Sequence, residues 1–453
     1  MLSEVDSIFF VGVGGINMSS LAHISKVRGM RVGGSDRTRS ALTERLESEG
    51  IEIFYSHAAE HTEDYGALVY TVAISEENPE YIAAVERGIP CISRADYMGY
   101  LMSGYRTRIG VSGMHGKSTC TSMCAEALMR ADTDPTVLSG AELASMGGAY
   151  RVGGEEYFLF EACEYMDSFL DFNPSVAVIL NIEMDHVDYF KSMEHIRSSY
   201  RRFAEIAGVC VANADDSEVS LALDGFEGET VWFGIDSERA DVRAHNIKEN
   251  GGCFEFDILK CGELLCHVRL AVTGYHNIYN ALACAAALSL AGVKGSDIAR
   301  GLEAFSGATR RMEYKGMLNG GRVYDDYGHH PTEVETTLRG AKGMTAGRLF
   351  CVFQSHTYSR TAALLDGFAS ALSVADRVII TDIYAARETD TKGMTPELMA
   401  ERVGKGASAC HGFDKAAQML KDELREGDVA IVMGAGDVWH TFKYLDFDAD
   451  KRR

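Results

Sequence analysis

Short apolar runs rich in β-branched and aromatic residues recur along nearly the whole chain, and each gives way to a stretch whose apolar positions return at helical spacing. The clearest runs are Ile8 to Val13, Leu68 to Val72, Arg108 to Ser112, Val176 to Leu180, Phe350 to Phe353, Val378 to Thr381 and Val429 to Met433. Strand runs alternating with helical patterns predict parallel α/β sheets with helices packed on their faces. Small polar segments around Ser103 to Arg106 and around Ser306 to Arg311 interrupt the alternation and read as joints. A chain of 453 residues is too long for one ordinary core, so the pattern divides into three α/β domains, 1–105, 106–308 and 309–453.

The first apolar run leads into Gly12-Val13-Gly14-Gly15-Ile16-Asn17-Met18-Ser19, and a helical pattern follows through Arg28. Glycines there allow a tight turn and close backbone approach, while the helix N-terminus offers free N–H groups and a positive dipole end to a diphosphate. The next run ends at Gly34-Ser35-Asp36, where a carboxylate could reach a ribose hydroxyl. Because the spacing departs from Gly-x-Gly-x-x-Gly, this turn alone fits NAD, FAD, a UDP-sugar, or simple packing of a helix.

The second domain opens with a strand run and then Gly113-Met114-His115-Gly116-Lys117-Ser118-Thr119, followed by a helical run through Arg130. This is a phosphate-loop variant in which Val111 stands where the strict pattern has its first Gly. Backbone N–H groups would wrap phosphates, Lys117 would neutralise the β and γ oxygens, and the Ser118 or Thr119 hydroxyl would ligate Mg²⁺. Two acidic clusters, Glu161-Ala162-Cys163-Glu164 and Asn181-Ile182-Glu183-Met184-Asp185-His186-Val187-Asp188, follow apolar runs and belong at the carboxyl edge of the same sheet.

Composition closes several classes. The formal net charge of -22 repels a phosphate backbone at long range and argues against nucleic-acid binding. Eleven cysteines, an odd number with no Cys-x-x-Cys pair, suggest neither a disulfide framework nor a zinc site, and so a reducing compartment. The start, Met1 to Asp6, lacks a basic segment before an apolar one, and no window approaches the ~20 apolar residues of a membrane span. The expectation is a cytoplasmic enzyme without membrane insertion, a monomer or homodimer.

Taken in order, these motifs resemble those of the Mur ligase family. The likeness runs from GVGGINMS and Gly34-Ser35-Asp36 through GMHGKST, EACEY, NIEMDHVD, Asn213-Ala214-Asp215-Asp216 and Gly274-Tyr275-His276-Asn277 with Asn280. It continues through Arg310-Arg311-Met312-Glu313, Asp325-Asp326-Tyr327-Gly328-His329-His330-Pro331, FQSHTYSRT and DIYAARET, and ends at MGAGDVW. The resemblance implies a Rossmann-like N-terminal domain, a central P-loop ATPase-like domain with a parallel or mixed sheet, and a Rossmann-like C-terminal domain. It implies ATP-dependent ligation, through an acyl phosphate, of L-alanine to the lactyl carboxylate of UDP-N-acetylmuramate, with Mg²⁺ as cofactor.

Roles follow from the same resemblance. Gly12, Gly14, Gly15, Met18 and Ser19 would bind the UDP-sugar diphosphate, Asp36 the ribose, His57 and Arg94 uridine or phosphate, and Glu164 the sugar nucleotide. Gly113, Met114, His115, Gly116, Lys117, Ser118 and Thr119 would hold the ATP phosphates, with Arg311 also on ATP and His276, Asn277 and Asn280 on adenine. Ser118 or Thr119 would bind one Mg²⁺, and Glu161 with His186 a second. Arg310 or Arg311, Asp326, Tyr327, His329, His356 and Arg360 would face the γ-phosphate or the amino acid, with Asp326 or His329 taking a proton. As isolated residues, His329 and His330 could merely cap the next helix, and His356 could be a core histidine.

Three positions depart from the family pattern: Cys163 where Asp is expected, Met114 where Thr is common, and Thr357 where some relatives carry Arg. Rival classes are an NAD-dependent oxidoreductase, which leaves the phosphate loop without purpose, and a nucleotide sensor, which leaves Glu161, Glu164 and His186 without purpose. Within the family the alternative is the recycling ligase that attaches a tripeptide to the same sugar nucleotide. The opening turn GVGGINMS and Tyr327 favour the alanine-adding members.

Overall fold

The computed structural model describes residues 5–71, 74, 77–186, 189–386 and 388–448. Val72, Val187, Asp188 and Arg387, which belong to runs and motifs named above, lie outside the described residues, as do Met1 to Glu4.

Three sheets organise the chain. The first is fully parallel, in the spatial order Glu52–Phe54, Arg31–Ser35, Ser7–Val11, Ala67–Tyr70 and Cys91–Ser93, the strand order of a Rossmann-like half. Its central strand is buried at every residue, which accounts for the continuous apolar run Ile8 to Val11. The helix Ile16–Val27 covers one face.

The second sheet has ten strands. At its heart Thr107–Ser112 lies between Val176–Ile179 and Tyr157–Glu161, all parallel, so the phosphate loop, Glu161 and Asn181 leave the sheet at one carboxyl edge. Three strands, Val242–Asn250, Cys253–Lys260 and Glu263–Thr273, add an antiparallel edge that the reading of parallel alternation did not include. Their residues face both a packed and a wet side, giving an alternation without the long apolar run that marks a buried parallel strand. The alanine-rich helix His276–Leu290 packs with Lys117–Arg130 into the same core.

The third sheet orders Glu313–Leu318, Gly321–Asp326, Val429–Met433, Leu349–Phe353, Arg377–Ile380 and Ala407–Ala409, parallel except for the first pair. Asp326 and Phe353 both pair with Met433, so Tyr327 to His330, Ser355-His356 and Gly434 emerge at one edge. The two polar joints lie between helix Arg94–Met102 and strand Thr107–Ser112, and between helix Gly295–Ala304 and strand Glu313–Leu318. At the second, Arg310 and Met312 adopt positive φ of 57° and 49°.

Candidate active site between the central and C-terminal domains

The phosphate loop is built on backbone that side chains resist. Gly116 has φ +82°, and a Cβ there would stand 2.6 Å from Asn280 Oδ1. Asn181 clamps the loop from the next strand end: His115 N donates to its Oδ1 at 2.9 Å and its Nδ2 donates to the His115 carbonyl at 3.0 Å. Lys117 folds back, donating to the Gly113 carbonyl at 2.6 Å and lying 3.0 Å from Glu164. Burial would lower the Lys117 pKa, but Glu164, with Cys163 and Glu161, raises it. Burial would likewise raise that of Glu164, yet Lys117 and His186 lower it, so the pair is ionised. Ser118 Oγ donates to Glu161 Oε2 at 2.8 Å, and Gly140 N donates to the same oxygen at 2.9 Å.

Beside this loop a cavity of about 560 Å³ opens, lined by His115, Gly116, Thr119, His276, Asn277, Asn280, Arg311 and Asp326 among others. That volume suits a nucleotide-sized ligand. Asn277 Nδ2 donates to the Thr273 carbonyl and its Oδ1 accepts from Asn280, which fixes both amides. The buried Nδ1 of His276 has no hydrogen-bond partner among the described residues. Burial, helped by Arg311, holds its pKa down to about 4, so this ring is neutral.

From the C-terminal domain, Arg360 reaches across to Asp185, with Nη2 2.9 Å from Oδ1, in an ion pair whose members are both largely buried. Burial would raise the pKa of Asp185, but Arg360 lowers it. His356 Nδ1 sits 3.4 Å from Arg360 Nη1. His329 Nδ1 lies 3.1 Å from the Tyr327 carbonyl, so a proton on Nδ1 leaves the Nε2 lone pair free. Burial takes its pKa down to about 4, so this ring is neutral. Tyr327 is covered by the guanidinium groups of Arg310 and Arg311, 4.9 and 5.3 Å from its ring centre.

A second cavity, about 780 Å³, lies at the N-terminal glycine turn and is lined by Gly12, Asp36, Arg37, Ser56, His57 and Asn78 among others. His57 Nδ1 lies 2.7 Å from Glu80, a fully buried carboxylate that also accepts from Ser35.

Comparison with known proteins fits all three regions. Residues 7–106 match the Mur ligase family catalytic domain, 111–288 the Mur ligase middle domain, and 310–436 the Mur ligase glutamate ligase domain. A relative from Caldanaerobacter subterraneus named UDP-N-acetylmuramate--L-alanine ligase is 44% identical over 97% of this chain and 96% of its own. The chain belongs to the Mur ligase family. A ligase of the same name from Clostridium novyi is 43% identical over 95% of both chains. The crystal structure of a UDP-N-acetylmuramate-alanine ligase from Thermotoga maritima superposes with a TM-score of 0.79 at 27% identity, covering 97% of this chain and 98% of that one. A murein peptide ligase from Psychrobacter arcticus shares the fold, with a TM-score of 0.69 at 22% identity over 98% and 99% of the two chains.

Of the residues singled out from the sequence, His115, Gly116, Thr119, His276, Asn277, Asn280, Arg311 and Asp326 line the first cavity and Gly12, Asp36 and His57 the second. Several do not take the places expected of them. Met18 and Ser19 point into the core, where Met18 joins the apolar cluster and the Ser19 hydroxyl donates to the Ile16 carbonyl. Asp36 does line the N-terminal cavity, but its oxygens accept from Gly14 N and Thr38 N and so brace the turn. Arg94 begins a helix near Asp171 and does not line that cavity. Glu164 lies beside Lys117 and His186 and does not line the N-terminal cavity, its buried charge met by Lys117. His186, at φ +48°, stands 3.3 Å from Glu164, whereas Glu161 is held by Ser118. Both Asp326 oxygens accept backbone N–H groups, from Met312 and Gly328, and thus order the turn that presents His329.

Residues the sequence reading left unassigned include Asn181, Glu333, Arg37 and Glu80. Glu333 lies 3.2 Å from His115 and 3.4 Å from His329. The only sequence signal for it was its place three residues after His330, as in a capping box.

Proposed function

We propose that this protein joins L-alanine to the lactyl carboxylate of UDP-N-acetylmuramate while ATP is cleaved to ADP and phosphate. The observation that carries this reading is the near-full-length likeness to ligases of that name, on a chain whose phosphate loop meets the C-terminal domain through His115 and Glu333, beside the Asp185–Arg360 ion pair. Residues 1–105 would hold the UDP-sugar, 106–308 ATP and 309–453 the amino acid.

Ser118, Thr119 and Glu161 offer hard oxygen donors at the loop mouth, a set that suits Mg²⁺, and the 2.8 Å approach of Ser118 to Glu161 marks where such an ion would displace a hydroxyl proton contact. His186 and Glu164 form the other candidate position. When bound, Mg²⁺ supplies charge neutralisation on the phosphates. The rest is done by the chain. Lys117, exchanging Glu164 for phosphate oxygens, offsets charge on the transferring phosphoryl group, while the loop N–H groups hold its neighbours. The substrate carboxylate attacks the γ-phosphorus, ADP departs, and the resulting acyl phosphate is open to an amine. The alanine ammonium passes one proton to His329 Nε2, its nitrogen attacks the acyl carbon, and phosphate leaves carrying the second N–H proton. The domain contacts at Asp185–Arg360 and His115–Glu333 would keep water from the acyl phosphate until the amine arrives.

Substrate carrying oxygen-18 in the lactyl carboxylate tests the mechanism. Mass spectrometry of the released phosphate should find one labelled oxygen, and unlabelled phosphate excludes the acyl phosphate. A panel of amino acids and the recycling tripeptide, each with UDP-N-acetylmuramate and ATP, tests specificity through phosphate release. L-alanine should lead, with Gly and L-Ser slower by roughly tenfold to 200-fold. Preference for the tripeptide would assign the recycling activity instead.

A further inference from the structure

At the domain boundary three side chains converge that make and break no bond in the reaction above. His115 of the phosphate loop, Glu183 two residues beyond Asn181, and His330 at the start of helix Pro331–Gly343 each offer one ligand atom, and these atoms lie within 4.8 Å of one another. Glu183 Oε2 is 2.9 Å from His115 Nε2 and 3.8 Å from His330 Nδ1. The two imidazole rings are 4.9 Å apart.

His330 is dissatisfied in either neutral form. Only 3% exposed, it has an Nε2 without a hydrogen-bond partner among the described residues. With the proton on Nε2, that N–H is buried without an acceptor, and the Nδ1 lone pair is offered to Thr332 N, a long 3.4 Å away, and to the Glu183 carboxylate that repels it. With the proton on Nδ1, the Thr332 N–H loses its acceptor and the Nε2 lone pair is buried unpaired. Burial would lower the His115 pKa, but Glu183 and Glu333 raise it to about 9, so a metal ion taken up here replaces the His115 proton; shared by His330 Nδ1 and Glu183, it removes the repulsion. Glu333 completes the arrangement, because its Oε1 lies 3.2 Å from His115 Nδ1 and would hold that ring with Nε2 turned toward the ion, as carboxylates do behind metal-bound histidines.

Two imidazoles and one carboxylate form a donor set for Zn²⁺, Co²⁺ or Ni²⁺, whereas Mg²⁺ prefers oxygens alone. We propose that His115, Glu183 and His330 bind one Zn²⁺-class ion that pins the central domain to the C-terminal domain and engages the phosphate loop, making it an inhibitory site distinct from the Mg²⁺ positions. Its ligands come from both domains, so occupancy ties the loop to helix Pro331–Gly343 across the nucleotide cavity, which His115 and Glu183 themselves line. The proposal does not depend on which amino acid is ligated.

The test uses the full chain stripped of metal and titrated with Co²⁺ in the presence of excess Mg²⁺. The visible absorption of a low-coordinate Co²⁺ site should saturate at one ion per chain and be displaced by Zn²⁺. Glu183→Gln should abolish it. His330→Asn, which keeps a helix-capping side chain but removes the imidazole, should weaken binding by about tenfold or more. Circular dichroism checks that both variants fold. In the ligase assay, Zn²⁺ at concentrations that stop the native protein should spare His330→Asn. No saturable band in the native protein, or unchanged affinity in both variants, overturns the site. A band with equal Zn²⁺ inhibition of native protein and His330→Asn overturns the inhibitory role.

Discussion

The N-terminal and central domains each turn a parallel strand into a helix through glycines, yet the two turns differ in what surrounds them. At the first, Gly14 N is already occupied by Asp36, the helix Ile16–Val27 carries no charged residue in its opening turn, and Arg37 and His57 stand at the cavity wall. At the second, Lys117 is the first helical residue and lies among Glu161, Glu164 and His186, with Ser118 behind it. The first turn can fix an anion of constant charge. Only the second has a cation paired in advance with a carboxylate, able to change partners as charge builds on a transferring group. On the proposed function, the same backbone device would serve binding in one domain and chemistry in the other, with the charged side chains making the difference.

The most forceful way to break this comparison is Lys117→Ala. Ligation should fall by about 10³-fold or more, while calorimetric titration should find UDP-sugar affinity nearly unchanged. Loss of UDP-sugar binding in a folded variant would mean that the turns do not divide the work. Gly14→Ala probes the other turn. Its new Cβ would stand 2.7 Å from Asp36 Oδ2, and overpacking of ~1 to 3 kcal/mol corresponds to about five- to 150-fold in affinity. UDP-sugar binding should weaken by that factor while binding of an ATP analogue does not change. A loss shared by both ligands would show the turns to be coupled.

The smallest effect sharpens the comparison through pH. His276, packed beside the central turn, is held to about 4 by burial and by Arg311. Between about 4 and its ordinary 6.5 the folded protein binds fewer protons there than the unfolded chain. Its contribution to stability is thus complete above 6.5 and declines as pH falls toward 4. Thermal denaturation of the native protein should show Tm decreasing over that window, and His276→Asn should show a shallower decrease. Identical slopes would mean that the ring is not desolvated as described.

Much of this molecule was legible in local sequence. Val429–Met433 was bounded to the residue, and the other strand runs shifted by only one or two positions, because a fully buried parallel strand leaves a continuous apolar stretch. Both glycine turns were recognisable for a related reason, since strand, turn and helix are contiguous and the backbone there admits few residue types. The antiparallel edge from Val242 to Thr273 was not, as half-exposed strands carry a weaker pattern.

What the sequence by itself determined is therefore the sequence of α/β units, the positions of the two glycine turns, and the chemical types of residue brought to each strand end. Which of those residues meet was decided by the tertiary structure alone. Arg360 and Asp185 are 175 positions apart, and the His115, Glu183 and His330 cluster draws on two domains. Glu164, read from the sequence as a sugar-nucleotide contact, is held by Lys117, and Asp36, read as a ribose contact, accepts from Gly14 N. The physical reason is that a charge taken out of water must find its counter-charge or its hydrogen-bond donors wherever the packed chain provides them, and that requirement leaves no periodic trace along the sequence.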